Sequence, residues 1–210
     1  MIYELDLIID PHDLPLLLAA HMKLTIARQV NQETPQVIWQ AFQPFEMNLV
    51  AWENEYGIYA SSQPREQGSI ITTNVAHQYP AHDNVLYTLD ANGTFSESTN
   101  QPPGAGVFAV VNRIPPNKFP EMTLGLEQRA IINGNRTPPS PLNAMLVPPQ
   151  SEARFIPQNI LYVWMQAPYE SGTIIDHVFE RWTAVAFQGD TTKHTLKYNQ
   201  DLGKFVIVNQ

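Results

Sequence analysis

Eighteen prolines are spread through 210 residues, and they decide most of what this chain can become. Each proline removes a backbone donor and clashes with the preceding helical turn, so long helices are excluded. The stretches between prolines are short, rich in β-branched and aromatic residues, and bounded by turn residues. They read as strands. With 43% apolar residues, four Trp, eight Tyr and nine Phe, the chain can bury a sizeable core, and an all-β class is expected.

Tyr3 to Ile9 alternates apolar with acidic residues and reads as a first strand. Asp10-Pro11-His12-Asp13 then looks like a helix start capped by Asp10, giving one short helix over Leu14 to His21. Further strands are expected at 22–30, 37–42, 49–52, 56–60, 69–75, 84–89, 107–112, 122–128, 160–165, 173–175, 181–187 and 195–198. Asn92-Gly93 between two of these runs is a hairpin signal, because both residues tolerate positive φ.

The C-terminal Gly203-Lys204-Phe205-Val206-Ile207-Val208-Asn209 echoes Gly106-Val107-Phe108-Ala109-Val110-Val111-Asn112. Four further pairs fall in the same order, among them Met22–Ile26 with Met122–Leu126 and the segments ending in Trp52 and Trp164. This predicts two tandem, internally duplicated antiparallel β-sandwich units packed together: residues 1–114 with the N-terminal strand and helix, a Pro-rich linker at 115–120, and residues 121–210. Phe108 and Phe205 should then hold equivalent buried places.

The net charge of −8, without a basic stripe, argues against nucleic acid and against docking on an anionic membrane. There is no cysteine, so thiolate chemistry and disulfides are excluded. The N-terminal residues lack the basic and apolar regions of a signal peptide, which gives cytoplasmic synthesis with any export non-classical as the expectation.

Catalytic signatures are sparse. His77 and His82-Asp83 form the closest histidine cluster, with Asp176-His177 further on, but loops without Cys offer no closed ligand set, and no metal or other cofactor is expected. Glu53 and Glu55 could pair as glycosidase acids, yet charges on the wet face of a sheet look the same. No Gly-x-Ser-x-Gly elbow or phosphate loop is present. No catalytic residue is assigned.

The aromatics carry the functional expectation. Sugar recognition sets an aromatic face against C–H groups while Asn, Asp and Gln bond the hydroxyls, and a chain with only 15% charged residues and abundant Asn and Gln has those parts. Trp52 and Trp164 read as core residues, and Trp182 as the surface candidate. Tyr79, His82, Asp83, Asp90, Asn92 and Asn100 complete the expected ligand-binding set on loops. The expectation is a non-enzymatic, lectin-like protein for a glycan or other neutral polar ligand. The alternatives are a membrane-active, toxin-like protein that oligomerises and inserts strands, and a structural assembly subunit that forms a homo-oligomer. A hydrolase ranks last.

Overall fold

The computed structural model describes residues 1–63, 65–175 and 181–208. The chain opens with β1 (Ile2–Ile8), α1 (Leu14–Ala19), β2 (Lys23–Val30), β3 (Gln40–Phe42), β4 (Met47–Glu53) and β5 (Gly57–Ser61). Then come β6 (Val75–Ala76), β7 (Val85–Leu89), β8 (Phe95–Ser98), β9 (Phe108–Asn112) and β10 (Met122–Gln128). Four short pieces follow: β11 (Ile131–Ile132), β12 (Asn135–Arg136), β13 (Ser140–Pro141) and β14 (Met145–Val147). The last elements are β15 (Glu152–Phe155), β16 (Pro157–Gln166), β17 (Thr183–Ala186), β18 (Lys193–Asn199) and β19 (Lys204–Ile207). The all-β expectation with one short helix therefore holds. Among the described residues no helix is long and apolar enough to cross a membrane.

The strands form four sheets, ordered β12-β11-β4-β1-β18-β19, β13-β10-β5-β6 with β14 also on β10, β15-β9-β7-β8, and β17-β16-β2-β3. In β1 the alternation does what it predicts: Tyr3, Leu5 and Leu7 are buried. Glu4 and Asp6 point outward and share Lys193, at 3.2 and 2.9 Å. One apolar cluster draws side chains from all four sheets, including Leu5, Ile58, Tyr87 and Leu24. A smaller one gathers Ala27, Ile38, Trp164 and Ile175.

The helix begins at Leu14 as expected and ends at Ala19, but Asp10 is not its cap. Asp10 Oδ1 accepts the His12 amide at 3.0 Å, which uses the carboxylate in a turn ahead of the helix. Asp13 is the N-cap, without a side-chain capping bond. The expected strands at 69–75 and 173–175 shrink to the bridges Ile70↔Thr173 and Val37↔Ile174, with β6 at the end of the first stretch. The Asn-Gly hairpin forms as expected between β7 and β8. Gly93 adopts φ +81, and Asp90 Oδ1 accepts the Asn92 and Thr94 amides at 2.8 and 3.0 Å.

No sheet is confined to residues 1–114 or to 121–210. β1 pairs β4 on one side and, in parallel, β18 on the other; β2 pairs β16, β5 pairs β10, and β9 pairs β15. The strand pairing thus crosses the expected linker in every sheet. β9 is an interior strand flanked by β7 and β15, whereas β19 is an edge strand whose only ladder partner among the described residues is β18. Phe108 and Phe205 are both buried, but Phe108 meets the Tyr56 ring and Phe205 the Tyr198 ring. The sequence echo marks one local solution used at two different places: a positive-φ glycine, Gly106 or Gly203, shortly before a strand with a buried Phe.

Candidate functional site

Period-two alternation in β2 puts Leu24, Ile26, Arg28 and Val30 on one strand face, the face turned into the core. Arg28 is 1% exposed and has no carboxylate partner among the described residues. A guanidinium does not lose its proton in a protein, so its charge must be satisfied where it lies. Neutral groups do this. Nη1 donates to Gln128 Oε1, and Nη2 donates to the Gln158 carbonyl at 3.1 Å and to Asn159 Oδ1 at 3.2 Å. The register between β16 and β2 shifts between Pro157 and Leu161, the stretch that supplies these last two acceptors. Three rings surround the cation, with its carbon 5.7 Å from the Trp39 centroid, 5.6 Å from Trp52 and 5.7 Å from Tyr56.

From Arg28 the bonding runs outward as a ring. Nη2 also donates to the Tyr56 hydroxyl at 3.4 Å, and Tyr56 donates its own proton to Asn54 Oδ1 at 3.3 Å. Asn54 Nδ2 donates to the Tyr3 hydroxyl at 3.2 Å, and Asn159 Nδ2 reaches the same oxygen at 3.5 Å. Arg28 can only donate, which fixes the direction of each bond around the circuit.

Asn54, Tyr56 and Asn159 form one wall of an open groove of about 500 Å³. The segment before β7 returns antiparallel past Tyr56, with the Ala81 amide donating to the Tyr56 carbonyl at 2.8 Å, and supplies the second wall through Pro80, His82 and Asp83. Phe108 and Ile156 add apolar surface. The second wall is held firmly: Tyr87 Oη accepts the His82 amide at 2.7 Å and donates to the His82 carbonyl at 2.9 Å. Burial, ahead of the neighbouring charges, raises the Tyr87 pKa and keeps that proton in place. Asp83 Oδ2 accepts the Gly106 amide at 2.6 Å.

Of the residues expected from sequence to bind ligand, His82 and Asp83 line this groove. Tyr79 lies next door, in a pocket of about 120 Å³ with Glu53, Glu55, Arg129 and Arg136. Arg129 stands over its ring at 4.3 Å, and its hydroxyl donates to the Glu55 carbonyl at 2.8 Å. Burial raises the Tyr79 pKa, so the phenol keeps its proton. Asp90 and Asn92 sit at the other end of β7, about 17 Å of strand away. Hydrogen bonds from the Thr94 amide and hydroxyl lower the Asp90 pKa. Asn100 follows β8 and bonds Ser98 Oγ through its backbone amide at 3.4 Å. Trp182 is 37% exposed and packs on Tyr162 at 4.7 Å, beside β17 in another sheet.

Trp52 and Trp164 are buried, as expected. Glu53 ends β4, so the strand alternation does not continue to Glu55, although both line the smaller pocket. His77 and His82 do not converge: His77 Nε2 meets Glu97 at 2.8 Å, and Nδ1 faces the Gln78 carbonyl at 2.8 Å. Among the described residues no group of three His, Asp or Glu could hold a metal. Asp176 and His177 lie outside the described residues. Compared with known protein families, curated proteins and solved structures, the chain matches none.

Sequence reading missed Arg28, Asn54 and Asn159. The available signal was Arg28 itself, a charged residue in phase with Leu24, Ile26 and Val30. The two asparagines carry no local pattern, because they belong to segments of different sheets and meet only at the Tyr3 hydroxyl.

Proposed function

We propose that the chain is a non-enzymatic binding protein that takes a sugar in the groove between Asn54–Tyr56 and His82–Asp83. The supporting observation is the composition of that groove. Amide, imidazole and carboxylate groups suited to sugar hydroxyls stand beside Tyr56, Phe108 and Pro80, whose apolar surfaces suit sugar C–H groups. A glycan array followed by calorimetric titration of its best ligand tests the reading. Asn54→Ala and His82→Ala each weaken binding about tenfold or more, the loss of a hydrogen bond to a bound polar ligand. Trp182→Ala, outside the groove, leaves it unchanged. An array without any binder removes the proposal.

Self-assembly is a second reading. Among the described residues β19 pairs with β18 as its only ladder neighbour, with one side-chain bond from Thr183 to the Phe205 carbonyl, and Ile207 and Val208 at that edge are 44% and 42% exposed. Sedimentation measures it directly: a strict monomer at high concentration argues against assembly.

A further inference from the structure

We infer that the ligand of this groove carries a carboxylate, received by the wall of Asn54, Tyr56 and Asn159 and drawn there by the buried charge of Arg28. This rests on reading the groove as a sugar site, and it narrows the ligand to an acidic sugar.

The first ground is an excess of donors. Around the ring every bond carries a proton away from Arg28 and ends on the Tyr3 hydroxyl, which accepts two amides. No acceptor for the Tyr3 proton is present among the described residues. Asn54 Nδ2 and Asn159 Nδ2 each have a second hydrogen to give. Behind them, Arg28 Nε and Trp52 Nε1 are buried without partners. A neutral hydroxyl brings a proton for every oxygen it offers. A carboxylate brings acceptors only, and it satisfies such a wall better.

The second ground is charge. A guanidinium buried without an acid is costly, since neutral acceptors and ring faces return only part of its lost hydration. Tyr56 and Asn159 touch both Arg28 and the groove, so an anion seated there lies one side chain from the cation. Water between charges at that distance is replaced by polarised hydrogen bonds, which keeps the attraction strong. Two acids, Glu55 and Asp83, also line the groove and oppose an anion, so the attraction acts at the wall of Asn54, Tyr56 and Asn159, the part of the lining tied to Arg28 by hydrogen bonds.

The test is a set of titrations followed by amide NMR, using acetate, glucuronate, the methyl ester of glucuronate and glucose, with chloride at matched ionic strength as control. Acetate and glucuronate should shift the signals of Asn54, Tyr56 and Asn159, and glucuronate should bind about tenfold or more tighter than its ester. Asn159→Asp gives Arg28 a carboxylate within the protein. It should raise the melting temperature and weaken glucuronate about tenfold or more. If the ester and glucose match glucuronate, or if Asn159→Asp binds glucuronate as the wild type does, the inference is overturned while the sugar reading stands. Shifts with acetate but with no sugar uphold carboxylate recognition and sink the sugar reading. Silence from all four probes sinks both. Should Asn159→Asp fail to fold, the wild-type comparison of glucuronate with its ester decides alone.

Discussion

Arg28 and Glu127 are both buried without an ion-pair partner among the described residues, and they are accommodated in opposite ways. Arg28 on β2 must stay charged, so it is given acceptors: Gln128, Gln158, Asn159, the Tyr56 hydroxyl and three aromatic faces. Glu127 on β10, 6% exposed, is given room. It pairs in register with Gly57, and a Cβ there would stand 2.8 Å from Glu127 Cγ and 2.9 Å from Tyr79 Cδ2. Burial raises the Glu127 pKa, with Arg129 pulling it partly back. A carboxyl can escape desolvation by taking a proton, and a guanidinium cannot. Burying a cation therefore requires a built polar shell, while burying an acid requires little more than space.

The sharpest way to break this contrast is Arg28→Ala. It empties the aromatic cage and strands the acceptors, and chemical denaturation should show a loss of about 3–5 kcal/mol. A loss within the noise would mean that the shell does not depend on its cation. Next is Gly57→Ala, which drives a methyl group into Glu127 and Tyr79 and should cost about 1–3 kcal/mol. The same change in a Glu127→Ala background should cost clearly less, because one of the two obstacles is gone.

Glu127→Gln tests the acid's own term. A folded-state pKa above the ordinary 4.5 means that the folded protein holds the proton more tightly than the unfolded chain. Glu127 thus contributes full stability below about pH 4.5, and that contribution is lost as pH rises through its folded pKa. Gln should match Glu at low pH and be the more stable residue at neutral pH, read from melting temperatures across the range. The reverse order at neutral pH would contradict the assignment. The smallest effect is expected from Tyr79→Phe, which removes the bond to the Glu55 carbonyl but keeps the ring under Arg129. Denaturation should report about 0.5–1.5 kcal/mol.

Both buried groups show how far the sequence can be read. β10 was expected at its true bounds of 122–128, and the β7–β8 hairpin follows from Asn92-Gly93, because these signals are local. Arg28 was visible as a charge on the apolar face of β2, but its amide acceptors come from β10 and β16, one hundred residues or more on, and nothing local announces them. The echo at Phe108 and Phe205 fails for the same reason. Strand composition records that a strand is buried, and leaves open which strand lies beside it. For the groove, His82 and Asp83 were legible as turn residues. The opposite wall exists only because Asn54 and Asn159 meet through Tyr3, and Asp90 and Asn92, equally plausible by composition, are carried to the far end of β7.

The parallel pairing of β1 with β18 sets a timetable for synthesis. A chain made from its N-terminus completes Ile2–Ile8 long before Lys193–Asn199. At roughly 5–20 residues per second, β1 waits on the order of ten to forty seconds for that neighbour. Through this interval β4 can cover one edge of β1, while the other presents open backbone groups to whatever is near. Closure of the six-stranded sheet consequently waits until β18 has been made.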